Sequence, residues 1–145
     1  MEAVGLAASI ITLISAASLA SATITRAYGL RGCPQSVTTS LNEVEDFKGV
    51  LQVAQQALGD LDYDNEYVDR LLARARTRIE AFDTFLKEKV LRDEIRPTSD
   101  ATIRLRKRAK WREITGELQV EIDTLKQELS SIKQSLNVAL TTAHL

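Results

Sequence analysis

Residues 111–140, WREITGELQVEIDTLKQELSSIKQSLNVAL, decide the fold class. Trp111, Ile114, Leu118, Ile122, Leu125, Leu129, Ile132, Leu136 and Leu140 recur there at steps that alternate mostly between three and four. An α-helix turns once in about 3.6 residues, so this spacing draws a single apolar seam along a long helix, as in coiled coils and bundles. The pattern predicts a helix from about Ala101 to Thr142. Gly116 lies inside it at a cost of about 1 kcal/mol and marks a bend or a close crossing. The seam runs to the last residues without a closing cap, which suggests an N-terminal domain of a longer protein.

A seam of this length needs other helices to cover it, and the residues upstream supply them. Pro97 ends a preceding helix, and Ser99 or Asp100 can cap the one that follows. Val68, Leu71, Leu72, Ala75, Ile79, Phe82, Leu86 and Val90 predict a helix from Glu66 to Arg92. Its outer face carries Arg74, Arg76, Arg78, Glu80 and Lys87, and Asp64 or Asn65 can cap its start. Val37, Leu41, Val44, Leu51 and Leu58, widened by Phe47, Val50 and Ala54, predict another from Ser36 to Leu58, with Gly59 as a C-cap. Gly29, Gly32 and Pro34 mark a loop before it, and Arg26 is taken as the start of that break. No alternation of period two persists anywhere. The expected fold is therefore all-α, an antiparallel four- to five-helix bundle with a long C-terminal helix and an apolar N-terminal helix. Residues 1–145 form one domain, with 1–27 the apolar helix and 36–145 the bundle.

Composition narrows the function classes. The net charge is −1, so the chain as a whole does not attract nucleic acid. The single cysteine, Cys33, cannot form an intrachain disulfide, which fits a reducing compartment. With one histidine, His144, and one cysteine, the ligands for a zinc site are missing. There is no glycine-rich phosphate loop and no nucleophile–base pair, so neither an enzyme nor a cofactor is expected. The many carboxylates read as solvated charges on helix faces.

Two segments stand out. From Ala3 to Thr25, AVGLAASIITLISAASLASATIT, twenty-three residues carry no charge. A helix of that length rises far enough to cross a bilayer core of about 30 Å. Its large side chains are Val4, Leu6, Ile10, Ile11, Leu13, Ile14, Leu19 and Ile24, and Leu6, Ile10, Leu13 and Ile14 mark one face opposite a small, weakly polar one. Two readings are open: a central helix buried all round, or a segment that leaves the bundle and inserts in a membrane. Ala20-Ser21-Ala22 looks like a signal-peptide cleavage site, but Glu2 is the only charge before the run and the run is long for a signal core.

The second segment is 104–112, RLRKRAKWR. Six of its nine residues are basic: Arg104, Arg106, Lys107, Arg108, Lys110 and Arg112. Trp111, the only tryptophan, is in phase with the seam and is expected to pack inward. Cations near a helix N-terminus oppose the macrodipole, so a use for the charge is expected. These basic residues and Trp111 are candidate contacts for anionic lipid, to which each basic residue contributes about 1 kcal/mol near a surface. Nucleic acid is the weaker alternative, because aromatic interleaving is thin.

The opening, Met1-Glu2-Ala3-Val4-Gly5-Leu6-Ala7-Ala8-Ser9-Ile10-Ile11, resembles that of the fungal HeLo-like domains, N-terminal modules of NOD-like receptors and cell-death effectors. The basic, Trp-containing stretch Arg106–Arg112, the seam Leu118–Leu140 and the ending Leu136-Asn137-Val138-Ala139-Leu140 resemble the same family, so the likeness spans nearly the whole chain. That family is similar to the HeLo domain of fungal prion-controlled toxins and to the four-helix bundle of the mixed-lineage kinase-like necroptosis executioner. The resemblance implies membrane permeabilisation and programmed cell death. It implies activation by homo-oligomerisation, driven by an amyloid motif or a nucleotide-binding platform outside these residues. It also implies a cytoplasmic protein that relocates to the plasma membrane, with Ala3–Ile24 as the inserting helix and Glu2 near its tip. A sister group of receptor domains with a similar opening has no established toxicity, so a soluble interaction module is the alternative.

Overall fold

The computed structural model describes residues 6–30, 32–58, 66–91 and 100–143, with the backbone alone at 6, 58, 100–110, 112, 140, 142 and 143. Four helices fill those ranges: α1 (Leu6–Tyr28), α2 (Ser36–Leu58), α3 (Glu66–Lys89) and α4 (Asp100–Ala143). No strand occurs among the described residues. The fold is the expected all-α bundle, with four helices, a long last one and an apolar first one.

Local chemistry explains most of the boundaries. α1 runs through Arg26, where a break is expected from the sequence, and ends at Tyr28. Ala27 is fully buried, so packing rewards the extra turn, and Arg26 sits in the last turn where a cation suits the helix dipole. The Gly29 and Leu30 amides then bond to Thr25 O and Ala27 O at 3.1 Å each, closing the helix. Gly32 turns the chain with φ 83°, a conformation that side chains with a Cβ disfavour. Pro34 O accepts the Val37 amide at 3.1 Å and starts α2. At the end of α3, the Val90 and Leu91 amides both bond to Leu86 O at 2.9 Å, and both side chains fold back into the core. The candidate caps Gly59, Asp64, Asn65 and Ser99 lie outside the described residues.

α1 packs against α2 and α3, and α4 packs against the same two helices. α1 and α4 therefore stand at opposite corners of the bundle. Ser21 of α1 meets Glu45 of α2, and Arg74 of α3 meets Glu128 of α4, so each of these pairs runs antiparallel. Ser9 and Thr12 of α1 share a groove with Asp69 and Ala73 of α3, which places these two helices side by side. The core is continuous. Phe47, Phe82, Ile24, Leu51, Ile79, Leu86, Leu125, Leu129 and Ile132 are all fully enclosed. Each such side chain contributes about 1.5–3 kcal/mol by leaving water.

Candidate membrane-active helix and basic segment

α1 is the apolar segment of the sequence, and the bundle uses it as a core helix. Ile10, Leu13, Ala17, Ala20, Ile24 and Ala27 form its buried stripe. Ile14 is half-buried, while Ile11 and Leu19 are 50% and 67% exposed. Ile10, Leu13 and Ile14, one face in the sequence, fall on the packed side, and Ala17, Ala20 and Ala27 share that side with them rather than lying opposite. Small side chains leave room for neighbouring helices to approach, and helical phase, at about 100° per residue, turns Ile11 and Leu19 away from the buried stripe. Glu2, Ala3 and Val4 lie outside the described residues, and Leu6 begins the helix.

The hydroxyls along α1 are accommodated within the helix. Thr12, Thr23 and Thr25 donate to the carbonyls of Ala8, Leu19 and Ser21 at 2.9, 3.1 and 2.8 Å. Such back-bonding satisfies a hydroxyl wherever the helix goes. Ser21 differs. It is 9% exposed, and its hydroxyl donates across to the Glu45 carboxylate of α2 at 2.5 Å. This contact joins residues 24 positions apart and has no signature in the sequence. The window Ala7–Tyr28 has a mean hydropathy of 1.8, with 39% of it buried in the bundle, which makes it long and apolar enough to cross a membrane. A core helix of a soluble protein meets the same criterion.

The basic segment falls on the first turns of α4. Arg104, Arg106, Lys107, Arg108, Lys110 and Arg112 are placed there by the backbone alone. Trp111 is 4% exposed and packs in the core, as its phase with the seam predicts. Burial removes it from the set of residues that can meet lipid while the bundle is closed.

Other chemistry is sparse. Among the described residues no group of three His, Cys, Asp or Glu side chains gathers to hold a metal ion. Cys33, in the α1–α2 connection, is half-buried, and desolvation pushes its thiol up to about 11. A thiol held in that state is a poor nucleophile at neutral pH.

No curated protein and no solved structure matches the chain. The family model described as "Pigment biosynthesis cluster protein PigL N-terminal" matches residues 1–145, and the chain therefore belongs to that family.

Proposed function

We propose that this domain is a membrane-targeting, pore-forming execution module of the HeLo-like kind, whose α1 leaves the bundle, oligomerises and inserts in a bilayer. The observation that carries the reading is the make-up of α1. It has no charge from Leu6 to Thr25, it touches only two neighbouring helices closely, and Thr12, Thr23 and Thr25 keep their hydrogen bonds inside the helix. Those hydroxyls would enter lipid already satisfied, where an unpaired polar group costs several kcal/mol. The Ser21–Glu45 bond would have to break. The basic residues of 104–112 would draw the domain to an anionic inner leaflet. On this reading the protein is not an enzyme and needs no cofactor. It rests in the cytoplasm, relocates to the plasma membrane, and is triggered by an amyloid motif or nucleotide-binding platform outside these residues. The family description mentions a pigment biosynthesis cluster and specifies no activity.

One observation favours a second reading, a soluble interaction module. Six α1 side chains complete the core, and their release exposes it to water. Dye leakage from vesicles containing phosphatidylserine separates the two. Ile11→Lys and Leu19→Lys place a charge on the exposed side of α1, so both variants keep the fold by circular dichroism. A charge costs about 2.5–3.5 kcal/mol at the centre of an inserting helix. Leakage from the wild type and not from the variants supports insertion. Equal leakage from all three removes α1 as the inserting element. No leakage from the folded wild type favours the soluble module.

A further inference from the structure

One stretch of the seam between α3 and α4 is closed by opposite charges. Arg74 donates to both carboxylate oxygens of Glu128, at 3.1 and 3.2 Å. Within α3, Arg76 pairs with Glu80 and Lys87 with Asp83, at 3.0 Å each. Further along the same seam the pairing stops. Ala81, Thr84 and Phe85 of α3 line a groove there, with Glu88 of α3 and Glu121 of α4 contributing one carboxylate from each helix. Neither Glu88 nor Glu121 has a hydrogen-bond or ion-pair partner among the described residues.

The acidic wall continues beyond the groove. Glu117 lies one turn before Glu121 on α4, is exposed, and has no such partner either. Glu80 also lines the groove but is engaged by Arg76. Lys89 is the one cation among the lining residues, and it sits in the last turn of α3, where it suits the helix dipole.

Phe85 adds a second, independent feature. The chain has three phenylalanines. Phe47 and Phe82 are fully enclosed, whereas Phe85 is half-buried, rests against the core and leaves part of its ring in the groove. The face of an aromatic ring attracts cations, and best of all a planar guanidinium. Carboxylates of one sign on both walls of a cleft focus a field that draws positive charge. An apolar floor accepts the alkyl stem that carries such a charge.

We infer that this groove docks a basic segment of a partner protein, with an arginine seated over Phe85 between Glu88 and Glu121. Arginine fits better than lysine because its fork pairs with carboxylates at two points while its plane stacks on the ring. From 77 to 89 the groove follows α3 for about 18 Å, room for about three turns of a helix. A helix laid between two others is a recurrent mode of peptide recognition. The carboxylates repel nucleic acid and anionic lipid, so this face selects a protein. Docking here does not require α1 to enter lipid.

The test uses the whole chain and a labelled peptide of about 12 residues, long enough to span about 18 Å as a helix. The peptide is an amphipathic helix of alanine, leucine and arginine, with lysine and glutamate counterparts. Fluorescence anisotropy at low salt should show the arginine peptide binding, the lysine peptide binding about tenfold more weakly, and the glutamate peptide not binding. Amide NMR shifts should centre on residues 77–89 and on α4 around Glu121. Glu88→Gln with Glu121→Gln should weaken the arginine peptide by about tenfold or more. Glu43→Gln with Asp123→Asn removes two charges elsewhere and should leave its Kd unchanged. Phe85→Leu keeps the floor apolar and should abolish the preference for arginine over lysine. Without peptide, the Glu88→Gln, Glu121→Gln variant should melt at the wild-type temperature or above it, because a binding surface is held at some expense to stability. Failure of the arginine peptide to bind overturns the proposal. So do shifts centred on another face, an undiminished affinity in the glutamine variant, or a lower melting temperature, which would make the two carboxylates part of the fold. A wild type that self-associates through the same two glutamates makes a second copy the occupant and overturns the assignment to a partner protein.

Discussion

Ser21 on α1 donates a 2.5 Å hydrogen bond to Oε2 of Glu45 on α2, reaching across to another helix, whereas Thr12, Thr23 and Thr25 bond back to their own backbone. Ser21 is nearly enclosed while Glu45 stays in contact with water. Loss of this bond should cost about 1 kcal/mol, towards the lower end for a charged acceptor because solvent screens it. Ser21→Ala and Glu45→Ala are each expected to lower the urea midpoint with the m-value unchanged, and the double variant should cost little more than either single one. On the insertion reading, both variants also loosen α1 and leak dye faster than the wild type. Additive losses would show that the two side chains are not coupled.

Ile24 and Leu19 lie five residues apart on the same helix with opposite surroundings. Ile24 is fully buried and Leu19 is 67% exposed. Ile24→Ala should destabilise the bundle by about 2–5 kcal/mol, through lost transfer energy and the cavity left behind. Leu19→Ala should stay within about 0.5 kcal/mol of the wild type. Thermal unfolding followed by circular dichroism reads both. Leu19→Ala also separates the two functional readings. It removes apolar surface that only an inserting helix would bury, so it should reduce leakage while leaving stability alone.

The seams were legible because burial on one side imposes a period. Ser36 and Leu58 bound α2 in the structure as in the sequence, and α4 differs by one residue at each end. The end of α1 was not legible. Arg26 looks like a boundary, and only the enclosed Ala27 shows why the helix continues. The place of the α1 alanines also escaped, since a large-versus-small pattern does not show that Ala17, Ala20 and Ala27 share the packed side with Ile10 and Leu13. Adjacency was hidden too. Every helix carries a similar seam, so nothing in the sequence says that α1 meets α2 and α3 closely while α4 stands across from it. The candidate lipid contacts were partly legible: the phase of Trp111 already placed it inward, away from the basic residues around it.

Two glycines make opposite predictions. Gly49 sits within α2, and a Cβ there would meet nothing within 4 Å. Gly49→Ala should stabilise the protein by about 0.5–1 kcal/mol, from better helix propensity and a less flexible unfolded chain. Gly32 holds φ 83° in the turn between α1 and α2. Gly32→Ala forces an L side chain into the left-handed region and should cost about 1 kcal/mol. Differential scanning calorimetry should move the midpoint up for the first variant and down for the second. A rise for Gly32→Ala would mean that the turn relaxes to another conformation.

Cys33 gives the fold a pH dependence on the alkaline side. Its thiol is pushed from an ordinary value of 9.0 up to about 11 because burial disfavours the thiolate, and its Sγ lies 3.6 Å from Pro34 O. Below pH 9 the thiol is protonated in both the folded and the unfolded chain, so it leaves stability unchanged there. Between pH 9 and about 11 the unfolded chain releases its proton while the folded chain keeps it, and stability falls as pH rises. Cys33→Ser or Cys33→Ala removes this contribution, so the gap between the variant and wild-type urea midpoints should shift in the variant's favour across that window. At neutral pH the same depletion of thiolate should make alkylation by iodoacetamide slow in the folded chain and fast in urea. Equal rates in the two states would place Cys33 in water rather than against the Leu30 end of the core.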